Sequence, residues 1–155
     1  MFANRYLQKN KKEPLISEFP AKNTGMILVI PCFREPELLK TLESLNNCSL
    51  PRQHVEVLII NNHAENASQE IKKYNRRTGA EAESWIAKNQ NEGISFYAAG
   101  PLELQKKWAG AGLARKTGMD EAVRRFNLLE KPEGIIVSRD ADTMVDPNHM
   151  VEIEK

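Results

Sequence analysis

The sequence contains few of the features that would assign it at once to a class of protein. Its only two cysteines, Cys32 and Cys48, lack the C-x-x-C spacing of a redox or zinc motif. We therefore expect both thiols to be small buried side chains in a reducing compartment, the cytoplasm. The longest apolar run, residues 26–30, is far shorter than the roughly 20 residues that cross a bilayer. The sequence predicts no transmembrane segment, and peripheral contact with a membrane stays open.

An excess of one charge is also missing, because 21 acidic residues nearly balance 22 basic ones. The net charge of +1 provides no field that would attract nucleic acid. A basic group at Lys72, Lys73, Arg76 and Arg77, with the single aromatic Tyr74 among them, falls in a polar helical pattern that is predicted to run from about Ser68 to Arg77 and to end at Gly79. A solvated helix face is favoured over a nucleic-acid patch, and we expect no nucleic-acid partner.

The main feature of the sequence is an alternation of apolar runs with helical patterns. Leucines recur at helical spacing over residues 37–47, between the first two apolar runs. This alternation predicts an α/β fold, a three-layer α/β/α sandwich with a mainly parallel sheet. The predicted strands occupy residues 26–30, 55–60, 94–98 and 134–138.

Residues 1–25 differ from the rest of the chain because they are largely polar and are interrupted by Pro14 and Pro20. We expect them to form a loosely held N-terminal arm. The alternative is an amphipathic helix around Phe2, Tyr6 and Leu7 that docks on another surface.

Polar residues follow three of the predicted strands. They are Pro-Cys-Phe-Arg-Glu at 31–35, Asn-Asn-His at 61–63 and Asp-Ala-Asp at 140–142. The carboxyl ends of parallel strands meet at one edge of a sheet, where ligands bind in open α/β folds. We therefore expect these three clusters to lie together.

The two carboxylates of Asp140 and Asp142 are the sharpest chemical feature. Like charges this close raise each other's pKa unless a cation or several donors compensate. Mg²⁺ and Mn²⁺ bind through a few carboxylates, with water and substrate phosphates completing the shell. A structural alternative is that Asp142 caps a turn and Asp140 pairs with Arg139 or another cation.

The ordered set of motifs resembles family-two glycosyltransferases over residues 26 to about 150. The strand at 26–30 with Pro31, Phe33 and Glu35 is similar to their opening strand and "P-x-(Y/F)-N-E" motif. Residues 112–118 resemble their "A-A-R-N-x-G" helix start, and residues 138–142 resemble their "L-D-A-D" turn.

The resemblance implies a GT-A fold whose residues 26–155 form the nucleotide-sugar-binding part, truncated at the carboxyl end. It implies that Pro31 and Phe33 line the pocket for the nucleotide base. The structural alternative for Phe33 is an aromatic side chain in the hydrophobic core. Glu35 takes a polar position on the nucleotide side, or else charges the start of the next helix. The remaining implied site residues are Arg115 near the nucleotide, Asp140 near the ribose or metal, and Asp142 as the principal ligand of Mn²⁺ or Mg²⁺.

Two departures from the family pattern bear on function. Asn61 occupies the position of the family's base-binding aspartate, and an amide there has no charge and can also donate. No Asp or Glu in this chain matches the family's general base, so we expect this 155-residue chain to have little or no transferase activity.

The expected function is transfer of a sugar from a nucleotide-diphospho-sugar donor to a carbohydrate, lipid or protein acceptor. A non-catalytic nucleotide-binding or interaction module is the first alternative. A different nucleotide-sugar enzyme, such as a sugar nucleotidyltransferase, is the second, and the absence of a Gly-rich loop after the first strand disfavours it. A last strand without its usual neighbours would favour self-association.

Overall fold

The computed structural model of the protein describes residues 2–9, 14–104, 111–141 and 149–154. Helices and strands alternate through most of these ranges. In chain order they are α1 (Asn4–Lys9), β1 (Thr24–Cys32), α2 (Leu38–Asn46), β2 (His54–Ala64), α3 (Gln69–Lys88), β3 (Ile94–Leu104), α4 (Ala111–Leu128), β4 (Ile135–Ser138) and α5 (His149–Glu154).

The four strands form one sheet in the order β3-β2-β1-β4, and every neighbouring pair is parallel. The predicted α/β fold with a parallel sheet is therefore confirmed, as is the adjacency of β1 and β2. The central strand β1 is a continuous apolar run because helices cover both of its faces.

Side chains of β1 alternate between two hydrophobic cores. Leu28 and Ile30 pack in the core that α2 and α3 cover, together with α5. Ile27 and Val29 point to the opposite face and pack in the core that α4 covers. The sheet thus lies between two layers of helices, as the three-layer prediction requires.

Three elements extend well beyond the sequence pattern, and one of them, β3, continues past residue 98 to Leu104. The strand β2 does not end before Asn61, because the segment from 62 to 64 pairs with β3 beyond an irregularity in the register. The helix α3 does not end at Gly79 but continues to Lys88. A glycine inside a helix costs about 1 kcal/mol relative to alanine. Burial of Ala82 and Trp85 on the sheet side of the second half of α3 offsets that cost.

The N-terminal arm is attached to α4 rather than loosely held. The backbone N–H of Ala3 donates to Asn127 Oδ1 at 2.8 Å, and that of Ile16 donates to Glu121 Oε2 at 2.9 Å. Ile16 is also buried in the core beneath α4. The short helix α1 also contacts α4, because the hydroxyl of Tyr6 donates to the Asp120 carboxylate.

The order of the strands reverses at β1. From β1 the chain proceeds outward through β2 to β3, whereas β4 lies on the other side of β1. In open parallel sheets the crevice at such a switch point, beyond the carboxyl ends of the strands, is the usual ligand site. The fold therefore directs attention to the loops that follow β1 and β4.

Candidate functional site

The described residues of the three polar clusters, which leave out Asp142, lie at the same edge of the sheet. Cys32 of β1 is in register with Asn61 of β2, and Val29 is in register with Ser138 of β4. The backbone N–H of Arg139 continues this pairing by donating to Val29 O at 2.9 Å. Their convergence follows directly from the parallel arrangement of the strands.

The segment after β1 presents an aromatic ring to solvent. Phe33 is 50% exposed, which excludes the alternative that it is a core aromatic. Pro31, within β1, is half-buried. Glu35 Oε1 accepts from the backbone N–H of Glu37, the residue that precedes α2, at 2.9 Å. Phe33 is available for contact with a ligand, and Glu35 is engaged at the helix start.

The end of β2 carries three buried polar side chains, Asn61, Asn62 and His63. The Asn62 amide donates to Cys32 O at 3.0 Å and ties β2 to the end of β1. The Asn61 amide donates to the backbone carbonyl of Asn75 in α3 at 2.7 Å. The side-chain oxygen of Asn61 is buried and has no hydrogen-bond partner among the residues that the structure describes. An unpaired buried acceptor is costly, which makes this end of β2 a candidate binding surface.

Asn75 is the residue at this edge that the sequence did not indicate. It lies in α3 and is completely buried, although the sequence pattern suggested a solvated polar helix. Its Oδ1 accepts from the Arg34 N–H at 3.1 Å, and its Nδ2 donates to Asn62 O at 3.0 Å. The only signal in the sequence was an asparagine in the middle of a helix, where this residue is disfavoured.

These contacts determine the orientation of the Asn75 amide and the tautomer of His63. Because the Arg34 N–H can only donate, the oxygen of Asn75 must face it, and Nδ2 then lies 3.2 Å from His63 Nδ1. Nδ1 accordingly accepts, and the neutral imidazole carries its proton on Nε2. That atom is buried, and among the described residues the nearest acceptor given for it is Glu103 Oε1 at 3.6 Å, beyond hydrogen-bond distance.

Glu103, near the end of β3, is held by a cation from α3. Lys72 Nζ lies 3.2 Å from Glu103 Oε1 and also donates to the Glu65 carbonyl. The hydrogen bond from Lys72 holds the pKa of the Glu103 carboxyl below its usual value, and His63 acts in the same direction. Lys72 therefore has a specific partner instead of belonging to a free basic patch.

On the other side of β1, an arginine from α4 reaches the end of β4. Arg115 Nε donates to Ser138 Oγ at 2.7 Å, and Nη2 lies 3.4 Å from Asp140 Oδ1. Both side chains of the ion pair remain accessible, with Arg115 39% and Asp140 70% exposed. The arrangement leaves a guanidinium and a carboxylate beside the switch point, where each can contact a charged ligand.

The turn after β4 is fixed beneath these charges. Ala141 is buried, and its carbonyl accepts from Thr41 Oγ1 of α2 at 2.5 Å. Asp142, the predicted principal metal ligand, lies outside the described residues. Within the described ranges, no group of three or more His, Cys, Asp or Glu side chains converges to form a metal site. The exposed carboxylate of Asp140 is a hard oxygen donor of the kind that Mg²⁺ and Mn²⁺ prefer, so the residue fits the predicted ion.

The predicted site residues are thus divided into two groups. Phe33, Arg115 and Asp140 are accessible at the carboxyl edge, whereas Asn61 is buried beneath it and Glu35 serves the start of α2. Comparison of the sequence with models of protein families and with curated proteins found no match. In the described parts of the chain, no helix combines the length and the apolar character that crossing a bilayer requires.

Proposed function

We propose that this chain is the donor-binding part of a glycosyltransferase and that it binds a nucleotide-diphospho-sugar at the carboxyl edge of the sheet. One observation carries the proposal: the exposed Phe33 ring follows β1, and the accessible pair that Arg115 of α4 forms with Asp140 lies at the end of β4, so both stand beside the switch point between these strands. A flat apolar surface and a group of charges are what a nucleoside diphosphate requires of a site.

The residues have separate roles in this proposal. Phe33 offers its ring to the base, with Pro31 beside it, since stacking on an aromatic side chain suits any base. Arg115 would contact the diphosphate, because a guanidinium matches phosphate geometry. Its hydrogen bond to Ser138 already orients it for that contact. Glu35 would act indirectly, by holding the segment that carries Phe33 at the start of α2.

Asn61 gives the base site an uncharged character. Its amide nitrogen is engaged with Asn75, so only the side-chain oxygen remains as an acceptor near the base. A neutral acceptor discriminates between bases less strongly than a carboxylate does. We therefore leave the base open between uracil and guanine.

A divalent ion, Mn²⁺ or Mg²⁺, would be held by Asp142 and Asp140. When bound, it would neutralise charge on the departing diphosphate. Asp140 would then exchange part of its contact with Arg115 for the ion, which the 3.4 Å separation and the exposure of the pair permit. No general base is assigned among the residues of this chain, so we expect donor binding without efficient transfer.

The partners and location belong to the same proposal. The acceptor is a carbohydrate, lipid or protein hydroxyl, and nucleic acid is not a partner. The buried free thiols Cys32 and Cys48 suit the cytoplasm, with peripheral membrane contact left open. The strand β4 has one neighbour among the described strands, and its half-buried free side could pair with a second copy.

Calorimetric titration of UDP and GDP, with and without Mn²⁺, tests the proposal. We expect one nucleotide to bind more tightly with Mn²⁺, and Asp142→Ala to remove the metal-dependent part. Glu133→Ala is the matched control, because Glu133 is an exposed acidic residue in the turn before β4. Equal weak heats in all conditions, unchanged in Asp142→Ala, would contradict the proposal. A radiolabelled-donor assay should detect slow hydrolysis at most, and robust Asp142-dependent transfer would show that a base is present.

A further inference from the structure

We propose that Asn75 is a positioning residue for the nucleotide site, because it holds the segment after β1 against the end of β2 and so sets where the Phe33 ring stands. This inference rests on the proposed function. Asn75 touches no ligand in this proposal and acts through the backbone of Arg34. Its position on α3, a third element, is what allows one side chain to connect the two strand ends.

The contacts of Asn75 are fully used. The oxygen accepts from Arg34 N–H at 3.1 Å, and the amide nitrogen has two acceptors, Asn62 O at 3.0 Å and His63 Nδ1 at 3.2 Å. Its backbone carbonyl also accepts from Asn61 at 2.7 Å. Because the Asn75 side chain is completely buried and both ends of its amide are paired, it favours one arrangement of the surrounding loops.

The Arg34 contact matters because that residue has a disfavoured backbone. Its φ is 48°, in the left-handed region that non-glycine residues seldom adopt. The hydrogen bond from Arg34 N–H to Asn75 therefore helps to hold a conformation that the segment would otherwise tend to leave. Since Phe33 directly precedes Arg34, relaxation there would move the exposed ring.

The two strand ends carry different parts of the proposed base site. Phe33 follows β1, and the unpartnered oxygen of Asn61 lies at the end of β2. The Asn62 amide also links β1 to β2 by donating to Cys32 O, but both of these residues belong to the strands and neither lies in the segment after β1. Asn75 provides the link beyond β1, at the segment that bears the ring.

A double-mutant cycle between Asn75→Ala and Phe33→Ala distinguishes positioning from a general loss of stability. The probe is whichever of UDP and GDP the wild type binds, titrated with Mn²⁺. We expect Asn75→Ala to weaken binding about tenfold when Phe33 is present and to have no further effect in the Phe33→Ala background. Hydrogen exchange of the Arg34 amide should be faster in Asn75→Ala, while amides in the centre of β1 stay protected.

Asn127→Ala is the matched control. Asn127 is also a buried asparagine, and its oxygen accepts from Ala3 N at 2.8 Å at the far end of α4. This variant should be less stable in urea without a change in nucleotide affinity or in Arg34 exchange. If Asn75→Ala does not fold, Asn75→Ser takes its place in the same cycle, with a smaller loss expected.

Three results would overturn the inference: affinity within twofold of wild type in the Asn75 variant, a full additive loss in the Phe33→Ala background, or wild-type protection of the Arg34 amide. If the wild type binds neither nucleotide, the proposed function fails and the affinity part of this inference fails with it. The exchange of the Arg34 amide then decides separately whether Asn75 holds the segment.

Discussion

The two ends of α4 contact two polar clusters that differ in almost every respect. At the end far from the carboxyl edge, Arg125 and Glu56 form a completely buried pair with contacts of 2.7 and 2.6 Å. Arg125 also donates to Glu18 O at 2.8 Å, so each side of the guanidinium is used. At the carboxyl edge, Arg115 and Asp140 are largely exposed and 3.4 Å apart.

The difference indicates which cluster maintains the fold and which can accept a ligand. A buried pair that is fully hydrogen-bonded has no capacity left for another molecule, and its removal leaves an uncompensated charge. An exposed pair contributes little to stability and can change partners.

The largest expected effect separates the two arginines. Arg125→Gln should lower the free energy of unfolding by about 3–5 kcal/mol, because Glu56 would remain buried without a cation. Arg115→Gln should lower it by no more than about 1 kcal/mol, since its pair is exposed. Urea denaturation of both variants measures the difference. Similar losses in the two variants would show that the clusters do not differ in stability.

The next effect concerns how α4 is held against the sheet between its two arginines. A Cβ at Gly118 would lie 2.3 Å from Val29 Cγ1 and 2.8 Å from Ile60 Cγ1, so Gly118→Ala should cost about 1–3 kcal/mol. A Cβ at Gly112 meets no atom of the described residues within 4 Å, so Gly112→Ala should be neutral or stabilising. Thermal unfolding of the pair tests this, and equal melting temperatures would contradict the close packing.

A smaller effect tests whether the carboxyl edge of the sheet binds a nucleotide, and it concerns affinity rather than stability. Phe33→Ala should weaken nucleotide affinity about tenfold, in line with the energy of base–aromatic stacking, and should barely change stability because the ring is exposed. The control is Phe19→Ala, since Phe19 is 64% exposed on the N-terminal arm. Calorimetry measures the nucleotide affinity of both variants. If Phe33→Ala binds the nucleotide as tightly as the wild type and the Phe19→Ala control do, Phe33 does not contact the base.

The smallest effect concerns the reactivity of Cys32, the buried last residue of β1 at the carboxyl edge. Burial raises the pKa of its thiol from 9.0 to about 12, so at pH 8 roughly one molecule in ten thousand carries the thiolate. The folded state retains this proton as pH rises past 9.0, whereas the unfolded state loses it. The free energy of unfolding should therefore fall as pH rises from 9.0 toward about 12. Alkylation at pH 8 should therefore be slow until urea is added. Rapid labelling of Cys32 in the native protein would show that this edge opens.

Much of the fold could be predicted because the apolar runs depend on burial alone. A continuous apolar segment such as residues 26–30 is compatible with few environments other than a strand covered on both faces. The parallel arrangement then brings the strand ends together, so the convergence of Phe33, Asn61 and Asp140 at one edge also followed. Whether these residues bind a nucleotide stays a prediction.

The parts that were mispredicted depend on partners distant in sequence. Gly79 and the polar composition of α3 indicated a helix end, but contacts of Ala82 and Trp85 with the sheet carry the helix to Lys88. The N-terminal arm lacks a periodic apolar pattern, and its attachment relies on backbone groups that donate to α4 side chains such as Asn127 and Glu121.

The sequence by itself therefore determined the class of fold, the succession of its four strands along the chain, and the convergence at the carboxyl edge of the polar residues that follow β1, β2 and β4. Only the tertiary structure decided that Phe33 is exposed while Asn61 is buried, and that Asn75 joins the loops behind them. The physical reason is that hydrophobic periodicity is a local property of the chain. Exposure and hydrogen-bond partners at a strand end depend on which helix packs over it, and that is settled only when the whole sheet is assembled.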